Sequence, residues 1–421
     1  MEYLLLFALF LYCSTPYRVT TGSASIGLSE IAALLYILWR WATSGGREQN
    51  SDPDVRWLIR GIWGLALWAG LLWMLSANWE TRQEMIFDWV LAGLVLISLL
   101  RSPVRDWRRI AFLYVLAALP NVFLGAMQHG MGIGLSPKDF SGWSKAAQSF
   151  PVYGFFGHSN DLAVYLYWPF LVCIGLALSS RAWSRASYLL LSFSYGLVLF
   201  WTLSRSTLIT LGLVGIVSAM VFLLRRRKTF LAVLGAAAGA AALFLIWVFI
   251  TFPIEKINPI LSGRLKLWGA AWQVISGDPL FLPLGYLIQP SPGLRVFWIP
   301  HSIYLLSWLE FGWLGVLLLA GLAWFFLWNG WKRYDRLRLH PAPAVLWIGM
   351  AGLFLVNGPF ILYFHETYVI LNFICVTALW IAQLRETDHP SEAPRKQPMD
   401  GGSGPVPSAP AGRSSPESAG L

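Results

Sequence analysis

Apolar runs of membrane-crossing length recur along most of this chain, separated by polar breaks that are nearly all short. About 20 consecutive apolar residues, wound as a helix, cover a hydrocarbon core of about 30 Å. About twelve runs approach that length, near 1–15, 25–43, 57–77, 85–101, 110–128, 160–179, 187–204, 206–224, 229–252, 312–330, 343–363 and 367–384. The pattern predicts an all-α, polytopic membrane body over residues 1–385. Two polar segments stand out by their length, 129–159 and 251–300. Within the second, Leu265, Trp268, Trp272 and Ile275 recur at helical spacing, and Gly277 and Pro279 follow as stop signals. They predict a short amphipathic helix at the membrane surface, with Arg264 at its start. From Glu386 the chain turns to Pro, Gly, Ser and Ala with scattered charge, a composition too polar to offset its ordering entropy. Residues 386–421 therefore read as a disordered tail.

Composition agrees: 57% hydrophobic, 12% charged and a mean hydropathy of +0.58, where a soluble domain is about 25% charged. The basic residues orient the body. With the N-terminus inside, 19 of the 31 Lys and Arg fall in inner loops, 9 in outer segments and 3 in the tail, so both termini are expected in the cytoplasm. The net charge of +10 is then mainly a topology signal, and no nucleic-acid partner is expected. The first run lacks a basic leader and a small-residue cleavage site, and reads as a retained helix. Cys13, Cys173 and Cys375 all lie in apolar runs, where Cys behaves as a small hydrophobe, and no disulfide is expected.

Cations left on the outer side ask for an anionic ligand, and Arg205, Arg264 and Arg295 are three such residues. Arg205 sits in the polar knot Thr202-Leu203-Ser204-Arg205-Ser206-Thr207 between two runs with almost no loop. A guanidinium beside a helix N-terminus makes a phosphate site, although a snorkelling Arg that fixes helix depth fits the pattern too. For Arg264 the plain alternative is an interfacial anchor on lipid phosphate. His301 follows Pro300 at the mouth of the next helix, where an imidazole is poised to take a proton; alone, it reads as readily as structural. Glu310, nine residues on, is about 13.5 Å away along a straight helix. It is expected to pair with an outer cation or fix the turn at Gly312. Ser159, Asn160 and Asp161 read as a helix cap with a carboxylate near the positive end of the dipole, and His158 is a secondary acid or base candidate. No phosphate-loop glycine pattern, no His-Glu-x-x-His motif and no outer carboxylate cluster is present. Asp52-Pro53-Asp54 has an acid-x-acid form but lies in a short inner loop. Neither a metal nor a cofactor is expected.

Taken in order, Gly154-Phe155-Phe156 with Asn160, Leu203-Ser204-Arg205, Gly263-Arg264 with Trp268, and His301 with Glu310 and Gly312 resemble the O-antigen ligase and polymerase superfamily over roughly residues 150–316. Two positions depart from it: His158 before the Asn, and Ser302 where the family often has Asn. The resemblance implies a metal-independent, inverting glycosyltransferase of the GT-C type in the bacterial inner membrane, with its site facing outward. Its donor would be a glycan on undecaprenyl pyrophosphate and its acceptor a hydroxyl on a lipid or glycan, with membrane lipids around it. Arg205 and Arg264 would hold the pyrophosphate, and His301 would act as base. A polymerase of lipid-linked repeat units is the alternative enzyme. A transporter of lipid-linked oligosaccharide is the alternative of another class, although transporters keep their charged groups near mid-membrane.

Overall fold

The computed structural model describes residues 1–15, 18–21, 24–43, 53–75, 83–101, 106–131, 151–156, 158–224, 226–252, 263–277, 302–358 and 367–388. The long helices are α1 (Glu2–Ser14), α2 (Leu28–Thr43), α3 (Pro53–Leu75), α4 (Gln83–Arg101), α5 (Trp107–Met131), α6 (Ser159–Ser179), α7 (Ala182–Trp201), α8 (Arg205–Leu223) and α9 (Arg227–Thr251). They are followed by α10 (Arg264–Gly277), α11 (Ile303–Lys332), the single turn α12 (Tyr334–Leu337), α13 (Pro341–Gly352) and α14 (Thr367–Asp388). Each of the twelve predicted runs falls on one of these helices.

Among the described residues, six stretches are long and apolar enough to cross a membrane: Val55–Leu72, α5, α6, α8, Phe311–Lys332 and Tyr368–Thr387. Glu2–Ser14, Phe87–Leu100 and Pro341–Asn357 are shorter apolar helices. The chain is a polytopic membrane protein. One element departs from the all-α expectation. Arg18–Thr21 pairs antiparallel with Ala24–Gly27, so a hairpin occupies the start of the predicted 25–43 run and α2 begins only at Leu28. Glu30 closes the junction, its carboxylate accepting from Gly27 N–H at 3.1 Å. At the other end of α2, Arg40 reaches Glu2 at 3.6 Å, which sets the chain start beside the end of α2.

The core lies around α6 and α14, whose surfaces are almost wholly buried. The outer faces of α7 and α8 expose Leu190, Phe193, Ile209 and Ile216, as side chains facing lipid do. Between helices, buried polar bonds act where apolar contact alone gives no preference in lipid. Tyr114 donates to Asn372 Oδ1 at 2.5 Å, Tyr195 to Val115 O at 2.6 Å and Tyr167 to Gly349 O at 2.7 Å. They tie α5 to α14, α7 to α5, and α6 to α13. The predicted tail starts within α14, which runs through Glu386 to Asp388, and Trp107 donates to the Glu386 carboxylate.

Candidate active site

The stretch 151–156 is a loop held from below by two buried amides of α5. Gln128 Oε1 accepts from the N–H groups of Tyr153 and Gly154 at 3.0 and 2.9 Å, and its Nε2 donates to Gly154 O at 3.1 Å. Asn121 Oδ1 accepts from Phe155 N–H at 3.1 Å while its Nδ2 donates to Ser14 O at 2.6 Å. Gly154 has φ +59°, and a Cβ there would stand 2.5 Å from Asn121 Oδ1, so the position demands glycine twice over. Phe156 is buried against Tyr165 and Tyr368. The helix that follows is capped one residue earlier than the sequence suggested. His158 is the N-cap, its Nδ1 accepting from Asn160 N–H at 3.1 Å, and Ser159, Asn160 and Asp161 form the first turn. Short oxygen-bearing side chains are the usual caps; here a ring nitrogen takes the place of the oxygen.

The polar knot behaves as its composition implies. Thr202 ends α7, its hydroxyl donating to Leu199 O at 2.6 Å and accepting from Ser204 N–H at 3.3 Å. Leu203 is left-handed at φ 56°, a conformation costly for a branched residue and common where function holds the backbone. Ser204 Oγ meets Thr207 Oγ1 at 3.1 Å. Arg205 opens α8 and is exposed.

Gly263, at φ 78°, turns the chain into α10, and Arg264 is its first residue. Ala271 and Ile275 are buried, and Trp272 meets Trp308 edge-on at 5.8 Å, which docks α10 against α11. Burial first, and the positive charge of Arg205 second, push the Arg264 guanidinium below its ordinary value. The two arginines, 59 positions apart in the chain, are thus close enough for one charge to be felt at the other.

Ser302 caps α11. His301 and Arg295 lie outside the described residues, as does Asp52, while Pro53 opens α3. Glu310 belongs to the first segment of α11, which runs to Phe311. There Gly312 breaks the helix at φ 67° and ψ −168°, and the carbonyl of Phe311 accepts from Trp68 Nε1 at 2.9 Å. The expected turn at Gly312 therefore exists, and its freed carbonyl is satisfied by an indole of α3. No group of three His, Cys, Asp or Glu able to hold a metal occurs among the described residues.

Residues 188–320 match the family model Wzy_C, O-antigen ligase. This stretch runs from α7 past the Gly312 break and contains both arginines, His301 and Glu310. The resemblance read from the motifs is borne out over it. Likeness to an O-antigen ligase implies enzymatic glycan transfer by a multi-pass bacterial membrane protein working on lipid-linked glycan. No curated protein matches the chain.

Two features had no legible signal in the sequence. An apolar cavity of about 950 Å³ opens between α8, α9, α11 and α13, with Leu213, Met220, Phe230, Trp328, Leu355 and Val356 among its lining. At its rim the helix after α13 closes as a π turn, Leu353–Asn357, with Asn357 fully buried.

Proposed function

We propose that this chain is a glycosyltransferase of the O-antigen ligase type, moving a glycan from undecaprenyl pyrophosphate to an acceptor hydroxyl on the outer face of the bacterial inner membrane. In this reading the six long apolar stretches and six further apolar helices, twelve together, cross the bilayer in a GT-C arrangement, with both termini in the cytoplasm, residues 1–385 forming the catalytic body and the chain beyond α14 a tail. The observation that carries this reading is the pairing of Arg205 with a half-buried Arg264 inside the stretch similar to an O-antigen ligase. Two cations that repel one another, one of them partly desolvated, gain most from an anion held between them. The apolar cavity beside α8 suits an isoprenoid chain.

The chemistry then runs without a metal. His301 takes the proton from the acceptor hydroxyl as its oxygen attacks the anomeric carbon from the face opposite the pyrophosphate. The carbon–oxygen bond to pyrophosphate breaks, its electron pair leaves with the phosphate, and Arg205 and Arg264 stabilise that charge. Attack from the opposite face inverts the linkage. Arg295 adds positive charge to the same outer segment. His158, Asn160 and Glu310 act as supporting groups around it.

Purified protein supplied with lipid-linked repeat units and a separate lipid-anchored saccharide acceptor tests the reading. Transfer that requires the acceptor is the expected result. A ladder of longer chains built on the donor lipid alone identifies a polymerase. Movement of lipid-linked glycan across vesicles without any new glycosidic bond identifies a transporter.

A further inference from the structure

The π turn after α13 is clamped to the first turn of α11 by two bonds. Tyr304 donates to Phe354 O at 2.5 Å, and Ile303 N–H donates to Gly358 O at 2.9 Å. Gly358 N–H closes the wide turn on Leu353 O at 2.7 Å. Such turns insert one residue into a helix and occur often at functional sites. Asn357 stands in the chain between the two clamped residues, Phe354 and Gly358. The turn also packs on α8. One turn below it, a Cβ at Gly352 would lie 2.7 Å from Val214 and 3.2 Å from Thr210. Asn357 is five residues beyond Gly352 on the rising helix, and Arg205 is five residues before Thr210 on its antiparallel neighbour. Counted from Thr210 and Val214 at about 1.5 Å per residue, Arg205 stands about 7.5 to 13.5 Å up its helix and Asn357 about 7.5 Å up its own, so the two lie within about 6 Å in depth.

Asn357 is fully buried, and among the described residues neither the nitrogen nor the oxygen of its carboxamide has a hydrogen-bond partner. Burial without partners works against folding, and a group kept in that state calls for another explanation than stability. We propose that the Asn357 carboxamide is a binding contact for the polar head of the donor, where pyrophosphate joins the first sugar. Its NH₂ donates to a phosphate or ring oxygen, and its carbonyl accepts from a sugar hydroxyl. This rests on the transfer reaction proposed above. It also accounts for an amide placed near the depth of Arg205, in a turn whose Leu355 and Val356 line the cavity suited to the lipid chain.

Asn357→Leu replaces the amide by an apolar group of similar size. In full-length protein reconstituted in nanodiscs, with a lipid-pyrophosphate-linked disaccharide as probe, this variant is expected to melt at or above the wild-type temperature. It should bind the probe and transfer from it at least tenfold less well. Normal binding and transfer by the folded variant overturn the proposal. Asn357→Asp is the second variant. It keeps an acceptor and adds negative charge, and is expected to weaken probe binding more than Asn357→Leu does; wild-type affinity in a folded Asn357→Asp protein also overturns it. Wild-type protein that binds the probe but forms no new glycosidic bond would sink the transfer reaction, while the binding comparison still decides the role of Asn357. Wild-type protein that does not bind the probe refutes both.

Discussion

Burial and the positive charge of Arg205 both push the Arg264 guanidinium below its ordinary value. Removing either arginine should therefore do more than delete one contact. Arg205→Ala and Arg264→Ala are each expected to weaken both donor binding and turnover, with roughly 10²- to 10³-fold loss of turnover. Lys should rescue them only in part, because it lacks the planar fork that grips two phosphate oxygens. His301→Ala is expected to keep donor binding and lose transfer, with partial recovery at high pH as the acceptor hydroxyl ionises unaided. Binding titrations beside single-turnover assays separate the two patterns, and an active, well-folded His301→Ala protein excludes the base assignment. Arg205 and Arg264 stand out in the sequence because cations in segments read as outer depart from the charge bias of membrane loops. Asn357 does not. A single amide in Phe-Leu-Val-Asn-Gly resembles any helix end, and only its burial without partners distinguishes it.

The helices themselves were legible from hydrophobic run length, because in hydrocarbon the backbone has little choice. Of the interruptions within them, the turn at Gly312 was legible and others were not. The 18–27 hairpin is written in Thr, Ser and Gly that read as loop. The π turn is held by residues about 50 positions away in the chain. Two glycines of the motif set rank by their surroundings. Gly312 sits at positive φ with ψ near 180°, a region essentially reserved for glycine, and the freed carbonyl of Phe311 is taken by Trp68, so Gly312→Ala should cost about 1–3 kcal/mol from backbone strain. Gly154 combines positive φ with a Cβ position that collides with Asn121, itself pinned to Ser14. Gly154→Ala is expected to lower the melting temperature more than Gly312→Ala, and thermal unfolding in one detergent checks the order. The reverse order would mean that the 151–156 loop yields more easily than its hydrogen bonds imply.

For the whole molecule, the proposed reaction assigns the charge it develops to arginine rather than to a divalent ion, on the reading that the outer segments carry cations and no carboxylate cluster. Transfer measured with excess EDTA should equal that without it, and a loss restored by magnesium or manganese would reopen the Asp52-Pro53-Asp54 motif. The positive-inside bias and the Arg40–Glu2 pair agree that the chain start and the end of α2 lie together on one side. Labelling of single cysteines introduced at the loop ends would assign that side.

The cavity between α8, α9, α11 and α13 is lined by side chains that hydrocarbon wets as readily as the protein does. A donor whose chain lies there need never leave the bilayer to reach Arg205, and the spent carrier returns to it by the same path. On the proposed reading the concentration that sets the rate is two-dimensional: the fraction of lipids that are donor. Turnover follows that fraction, so adding inert phospholipid slows the reaction while adding buffer leaves it unchanged.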